Sequence, residues 1–184
     1  AIGLACPNLV LPNYQGWGYT EVSLDEVSMD TIISDNAIER IDDPLMRSMI
    51  WTSLFNAPSN GQMENSTLLE TLIASLPIED NDRIIRQTMA TLVSNLNLLE
   101  RLGGEYANEL AEYGPQAEQQ LWQLINAGVN DEAGSQSLST LNLRLSRYIG
   151  LARSFEALEN LASLLEDATG IPGLSLGQNQ RWNI

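Results

Sequence analysis

The residues in this chain that could do chemistry are few, and each has a simpler use. Asp80-Asn81-Asp82 has the acidic opening of a calcium loop. That loop needs glycine at its sixth position and glutamate at its twelfth, where Ile85 and Thr91 stand, so the triplet reads instead as a helix N-cap. Asp42-Asp43 reads the same way. Glu156 and Glu159 could pair for acid-base work, but on a helical surface such carboxylates are solvated. Asn65-Ser66-Thr67 is a glycosylation sequon, a tripeptide that also arises by chance. The chain has no histidine, which removes serine-histidine and cysteine-histidine nucleophile pairs, the histidine general base and the HExxH zinc site. Cys6 is the single cysteine, so an internal disulfide is ruled out. No P-loop, GxGxxG or CxxC occurs. The residues by themselves therefore specify no catalytic, metal or cofactor site.

With 184 residues, 43% of them apolar and 18% charged, the chain is long enough to bury a core and too apolar to be disordered. All nine basic residues are arginine, against 24 acidic ones, for a formal charge of -15. That field repels phosphate backbones and anionic lipid, so neither nucleic acid nor a membrane surface is an expected partner. No apolar run approaches the ~20 residues of a membrane span. The start, Ala1-Ile2-Gly3, carries neither Met nor a charged leader and reads as a cut or processed end. No targeting segment is visible, and the compartment stays unknown.

The elements follow from periodicity. Leu9-Val10-Leu11 and Trp17 to Leu24 read as two short strands, the second with Trp17 and Tyr19 on one face. Two strands alone are not a stable sheet. From Asp25 the period becomes helical. Ser23 with Glu26 suggests a capping box for a helix through about Ile33, and Asp43-Pro44 a strong helix start. The apolar stripe Leu45, Met46, Met49, Ile50, Leu54 follows, then Leu68, Leu69, Leu72, Ile73, Leu76 with Thr67/Glu70 as a second capping box. The clearest helix covers 82–102, where Ile85, Met89, Leu92, Leu96 and Leu99 share one face and Gly103-Gly104 stops it. Further helices are expected at 105–112, 115–127, 135–151 and 154–168. Their stripes are Leu121/Ile125, Leu138/Leu141/Leu145/Tyr148 and Leu158/Leu161/Leu165. Gly170-Ile171-Pro172-Gly173 is a loop. The expected fold is mainly all-α, a solenoid-like stack of antiparallel amphipathic helices preceded by a two-strand β remnant.

Several stretches, in order, resemble one family. Leu11-Pro12-Asn13 with Gly16-Trp17-Gly18-Tyr19 and Leu24-Asp25 is similar to the junction between a small β-sandwich and a helical C-terminal domain in aminopeptidase N-type zinc metallopeptidases, the gluzincin group. Ile41-Asp42-Asp43-Pro44-Leu45 with Arg47, Trp51, Ser53-Leu54 and Gly61 resembles that family's I-x-D-P-L-x-R-x-x-x-W-x-S-L helix. Leu76 to Asp82 resembles its E-x-D helix start, and Ile171-Pro172-Gly173-Leu174 with Gln180-Arg181-Trp182 its PGL…RW segment. Phe55, where tryptophan is usual, and Ala57-Pro58-Ser59 depart from the pattern.

The resemblance implies an ERAP-like helical domain over 25–184, truncated at its end, with 1–24 as the last strands of a β-sandwich. It also implies a parent enzyme whose zinc, HExxH helix and later glutamate, GxMEN segment and catalytic tyrosine lie upstream. Peptide would be the parent's substrate, and the upstream catalytic and sandwich domains this chain's partners. This chain would enclose the active site and shape the peptide cavity, be inactive alone, and hold no cofactor. Trp17, Tyr19, Asp43, Pro44, Arg47, Trp51, Arg181 and Trp182 match family positions as structural residues. If both ends are cut, the faces near Trp17, Tyr19 and Trp182 would expose apolar area and leave self-association open. The alternative reading is a free-standing helical-repeat scaffold that binds a protein partner.

Overall fold

The structure is a computed structural model, and it describes residues 6–13, 18, 20–34, 37–129, 136–167 and 169–184. Among these the fold is all-α. Eight helices follow in order: α1 (Glu26–Ser34), α2 (Pro44–Asn56), α3 (Asn65–Ser75), α4 (Asp82–Leu102), α5 (Ala107–Asn126), α6 (Leu138–Leu151), α7 (Phe155–Glu166) and α8 (Gln178–Asn183). None of them is long and apolar enough to cross a membrane. The chain divides into two compact units, Ala1–Thr71 and Leu72–Ile184, with the division falling inside α3.

In the first unit the expected strands are absent among the described residues. The backbone that should have paired with a neighbouring strand bonds to side chains instead. The Val10 N–H donates to Ser28 Oγ at 2.9 Å, and the Thr31 hydroxyl donates to the Asn8 carbonyl at 3.0 Å. The Asn13 side chain closes a local loop, donating to the Gly18 carbonyl at 2.8 Å and accepting its N–H at 2.6 Å. A segment whose hydrogen bonds are met this way has no need of a ladder. Trp17 and Tyr19 lie outside the described residues.

The start of α1 also differs from expectation. Its cap is Asp25, not Ser23: one carboxylate oxygen accepts the Ser28 N–H at 3.0 Å and the other the Ser28 hydroxyl at 2.9 Å. In α2 the start is as read, with Pro44 at the first turn and Asp43 accepting the Leu45 N–H at 2.9 Å. Its buried face is rotated, however. Ile50, Trp51, Ser53 and Leu54 are buried while Leu45 is 49% exposed. Trp51, the largest apolar surface on the helix, draws the face toward itself, and its ring stacks on Phe55 at 5.8 Å. Thr67 caps nothing; it lies inside α3, and its carbonyl accepts the Thr71 hydroxyl at 2.7 Å. The α3 stripe itself is as read, with Leu68, Leu69, Leu72, Ile73 and Leu76 all buried.

In the second unit α4 has the predicted bounds and face: Ile85, Met89, Leu92, Leu96 and Leu99 are buried. Gly103 and Gly104 both have φ of +57°, a conformation that stops the helix and suits residues without a Cβ. The two helices expected at 105–112 and 115–127 are one, α5, preceded by a 3-10 turn at Gly104–Tyr106 and running straight through Pro115. Proline in a helix interior costs about 3 kcal/mol. Burial of Tyr113, Ala117, Leu121 and Ile125 on both sides of it offsets that cost.

Helices α4, α5 and α6 each pack on the other two, with α7 on α5. The first residue of α4, Asp82, accepts a hydrogen bond from Ser139 in the first turn of α6 at 3.1 Å. These two helices therefore run the same way, with α5 returning between them. On α6, Leu141, Leu145 and Tyr148 are fully buried but Leu138 is 53% exposed. On α7 the buried face is Ala157, Leu161 and Leu164, leaving Leu158 and Leu165 outside. The expected α7 stripe was displaced by one small residue, Ala157, which allows close approach to α5.

Candidate functional site

Of the residues that match family positions, Trp17 and Tyr19 lie outside the described residues, and the structure places the others. Asp43 and Pro44 start α2. Arg47 donates to the carbonyls of Ile41 at 2.9 Å and Asp42 at 3.2 Å, tying the helix to the segment before it. Trp51 is 1% exposed, and its indole Nε1 has no hydrogen-bond partner among the described residues. Arg181 reaches the Leu165 carbonyl at 3.4 Å, and Trp182 is 80% exposed. Asp43, Pro44, Arg47 and Trp51 belong to the first unit, and Arg181 and Trp182 to the second. Pro172 and Gly173 are placed more tellingly, since the Pro172 carbonyl accepts the Val129 N–H at 2.8 Å.

A polar concavity in the second unit lies where the first turn of α4, the end of α5 and the start of α6 converge. Its volume is about 580 Å³. Asn81 caps α4 by accepting the N–H groups of Arg83 and Ile84 at 3.1 and 3.3 Å, which confirms the capping role read from the triplet. Glu79 accepts the Asn81 N–H at 3.0 Å. Ser137 caps α6, accepting the Thr140 N–H at 3.1 Å. The Thr140 hydroxyl donates to Asp82, joining the two helix starts.

At the centre is Arg144, 5% exposed. It donates to Gln136 Oε1 at 2.8 Å and to the Leu76 carbonyl at 3.1 Å. Gln136 in turn donates to the carbonyls of Leu124 and Gly128. One guanidinium thus ties the start of α6 to the ends of α3 and α5. Burial pushes Arg144 below the ordinary arginine value, and the Asp82 carboxylate opposes that shift. Planar, multiply donating arginine suits such a junction.

The hydroxyls in reach of a carboxylate here, those of Thr140 and Ser139 on Asp82, join the starts of α4 and α6. Among the described residues no group of three or more His, Cys, Asp or Glu side chains could hold a metal ion. What the arrangement does is fix three helix ends.

Sequence reasoning passed over Arg144 and the buried Glu118. A signal for both was available. Arg144 falls between Leu141 and Tyr148 on the apolar face of α6, and Glu118 lies three residues before Leu121 on that of α5. A charge set into an apolar stripe must find partners inside the fold.

One family model matches, described as the ERAP1-like C-terminal domain, over residues 9–184. No curated protein and no solved structure matches the chain.

Proposed function

Because the chain belongs to the ERAP1-like C-terminal domain family, a C-terminal domain of aminopeptidases, we propose that it is the helical cover of a zinc aminopeptidase. In this reading it encloses the active site and shapes the cavity through which peptides reach it. Catalysis, the zinc ion and the grip on the substrate's free amine belong to domains of the parent chain other than this one.

The observation that carries the reading is the family match over nearly the whole chain. The absence of histidine supports the division of labour, since an HExxH zinc site cannot be built from these residues. The use of several of the chain's polar side chains agrees with it. Asp43, Asn81, Gln136 and Arg144 bond to helix ends and backbone carbonyls.

The test is an aminopeptidase assay of the purified chain with added zinc, using an aminoacyl p-nitroanilide, alongside metal analysis. The expected result is no turnover and no stoichiometric zinc. Hydrolysis well above background would overturn the assignment of catalysis to other domains. An in-frame HExxH-x18-E upstream of Ala1 is the corresponding genetic expectation; an unrelated domain there would favour a free-standing helical scaffold instead.

A further inference from the structure

A second concavity, of about 230 Å³, lies among α5, the end of α6 and the start of α7. Glu118 lines it and is only 5% exposed. Its Oε1 accepts the backbone N–H groups of Arg153 and Ser154 at 2.6 and 3.2 Å, which caps the entry to α7. Capping uses one carboxylate oxygen. The other, Oε2, is buried and has no hydrogen-bond partner among the described residues. A half-satisfied buried carboxylate is costly unless something completes it.

The rest of the cavity narrows what that something is. Trp122 and Tyr148 line it, their rings stacked at 5.5 Å and 28°. Glu156 adds an exposed carboxylate, and Gln119 and Asn160 add amide groups. Arg153 feels the Glu118 charge, but its guanidinium hydrogen bonds go to the Leu151 carbonyl, Asn97 and Glu100. Tyr148 also registers the negative field. Its phenol is pushed up by burial, and further by the charges of Glu118 and Glu156, while the hydrogen bond from Asn160 opposes the shift. Aromatic faces and carboxylates around one small space favour a cation and repel an anion.

We propose that the Glu118–Trp122 cavity binds an organic cation, a guanidinium or alkylammonium group of the size that ends an arginine or lysine side chain. The charged head meets the Glu118 carboxylate, the alkyl stem lies along Trp122, and Glu156 draws the ligand in. The volume is below the roughly 300–1,000 Å³ of pockets for drug-sized ligands, so only such a head and its stem are accommodated.

The test titrates the full chain with agmatine at low salt and follows the indole N–H resonances, with Trp122→Phe assigning the Trp122 signal. The expected result is a saturable shift at Trp122, with no shift for the neutral analogue N-butylurea. Glu118→Gln keeps an acceptor oxygen for the Arg153 and Ser154 N–H groups, and it should weaken binding at least about tenfold. Glu156→Gln, at an exposed position, should weaken it severalfold and serves as the deciding variant if Glu118→Gln does not fold. Acetyl-Gly-Arg-Gly-amide binding as well as agmatine would assign the site to a peptide side chain. Binding of agmatine without the peptide would assign it to a free amine. No saturable shift with agmatine, an equal response to N-butylurea, or unchanged affinity in the folded variants would overturn the proposal.

Discussion

The Val129 N–H donates to the Pro172 carbonyl at 2.8 Å, seating the turn after α7 against the end of α5. Two glycines make that approach feasible. Gly128 has φ of +65°, and a Cβ there would meet the Pro172 carbonyl oxygen at 2.6 Å. Gly173 has φ of +77°, and a Cβ there would meet the Val129 side chain at 2.7 Å.

Gly128→Ala and Gly173→Ala should therefore each destabilise the fold, by about 2–4 kcal/mol from backbone strain plus a clash. Gly150, on α6 with no neighbour within 4 Å of its would-be Cβ, supplies the control. Gly150→Ala should be neutral or stabilise by up to about 1 kcal/mol. Urea midpoints for the three variants check the contrast.

Arg144→Met should cost about 2–4 kcal/mol, because it leaves the Leu76 carbonyl and Gln136 Oε1 without their shared donor inside the fold. Arg144→Lys should recover only part of the loss, since one ammonium cannot reproduce the fork that reaches both acceptors. Gln136→Ala and Arg144→Met should couple in a double-mutant cycle, read by chemical denaturation.

Asn81→Ala should cost about 1 kcal/mol by freeing the Arg83 and Ile84 N–H groups, and Asn81→Asp should retain most of the stability. Hydrogen exchange of those two amides checks it directly, with faster exchange expected in the alanine variant only.

How much of this was legible in the residues differs by element. The α4 helix was readable to its ends because cap, stripe and glycine stop agree over its 21 residues. The α5 helix was not, because Pro115 is a strong local stop signal and only packing on α4 and α6 overrules it. Ser23 and Thr67 failed as caps because a capping pattern is short and recurs by chance, while Asp25, with the Ser28 hydroxyl to bind, was the better partner. The N-terminal strands are not found among the described residues; a period-two pattern does not reveal whether a partner strand exists. The groove was invisible for a different reason. Arg144 and Gln136 are far from Asp82 along the chain, and only the return of α5 between α4 and α6 brings the three together.

Acid should weaken the fold through its capping carboxylates. The Ser28 N–H and hydroxyl hold Asp25 below its ordinary value of 3.8. Thr169 lowers Asp167 in the same way, and Arg153 lowers Glu100. A depressed carboxylate binds its proton more weakly folded than unfolded, so its contribution is full above the unfolded value. It is lost as pH falls through the lower folded one. The stability difference between the wild-type chain and Asp25→Asn should therefore be constant near neutrality and shrink below pH about 4. Denaturation of both proteins from pH 7 to 2.5 measures it. Taking the difference cancels the relief of repulsion that protonation brings to a chain of charge -15.

The enclosing role is tested most directly by the length selectivity of the parent aminopeptidase with and without residues 25–184. Rates are compared for an aminoacyl p-nitroanilide, a peptide of about ten residues and an unfolded protein with the same N-terminal residue. With the helical domain present, the parent should cleave the first two and discriminate strongly against the protein. Without it, the discrimination should fall sharply while p-nitroanilide hydrolysis persists. Unchanged discrimination in the shortened enzyme would contradict the account.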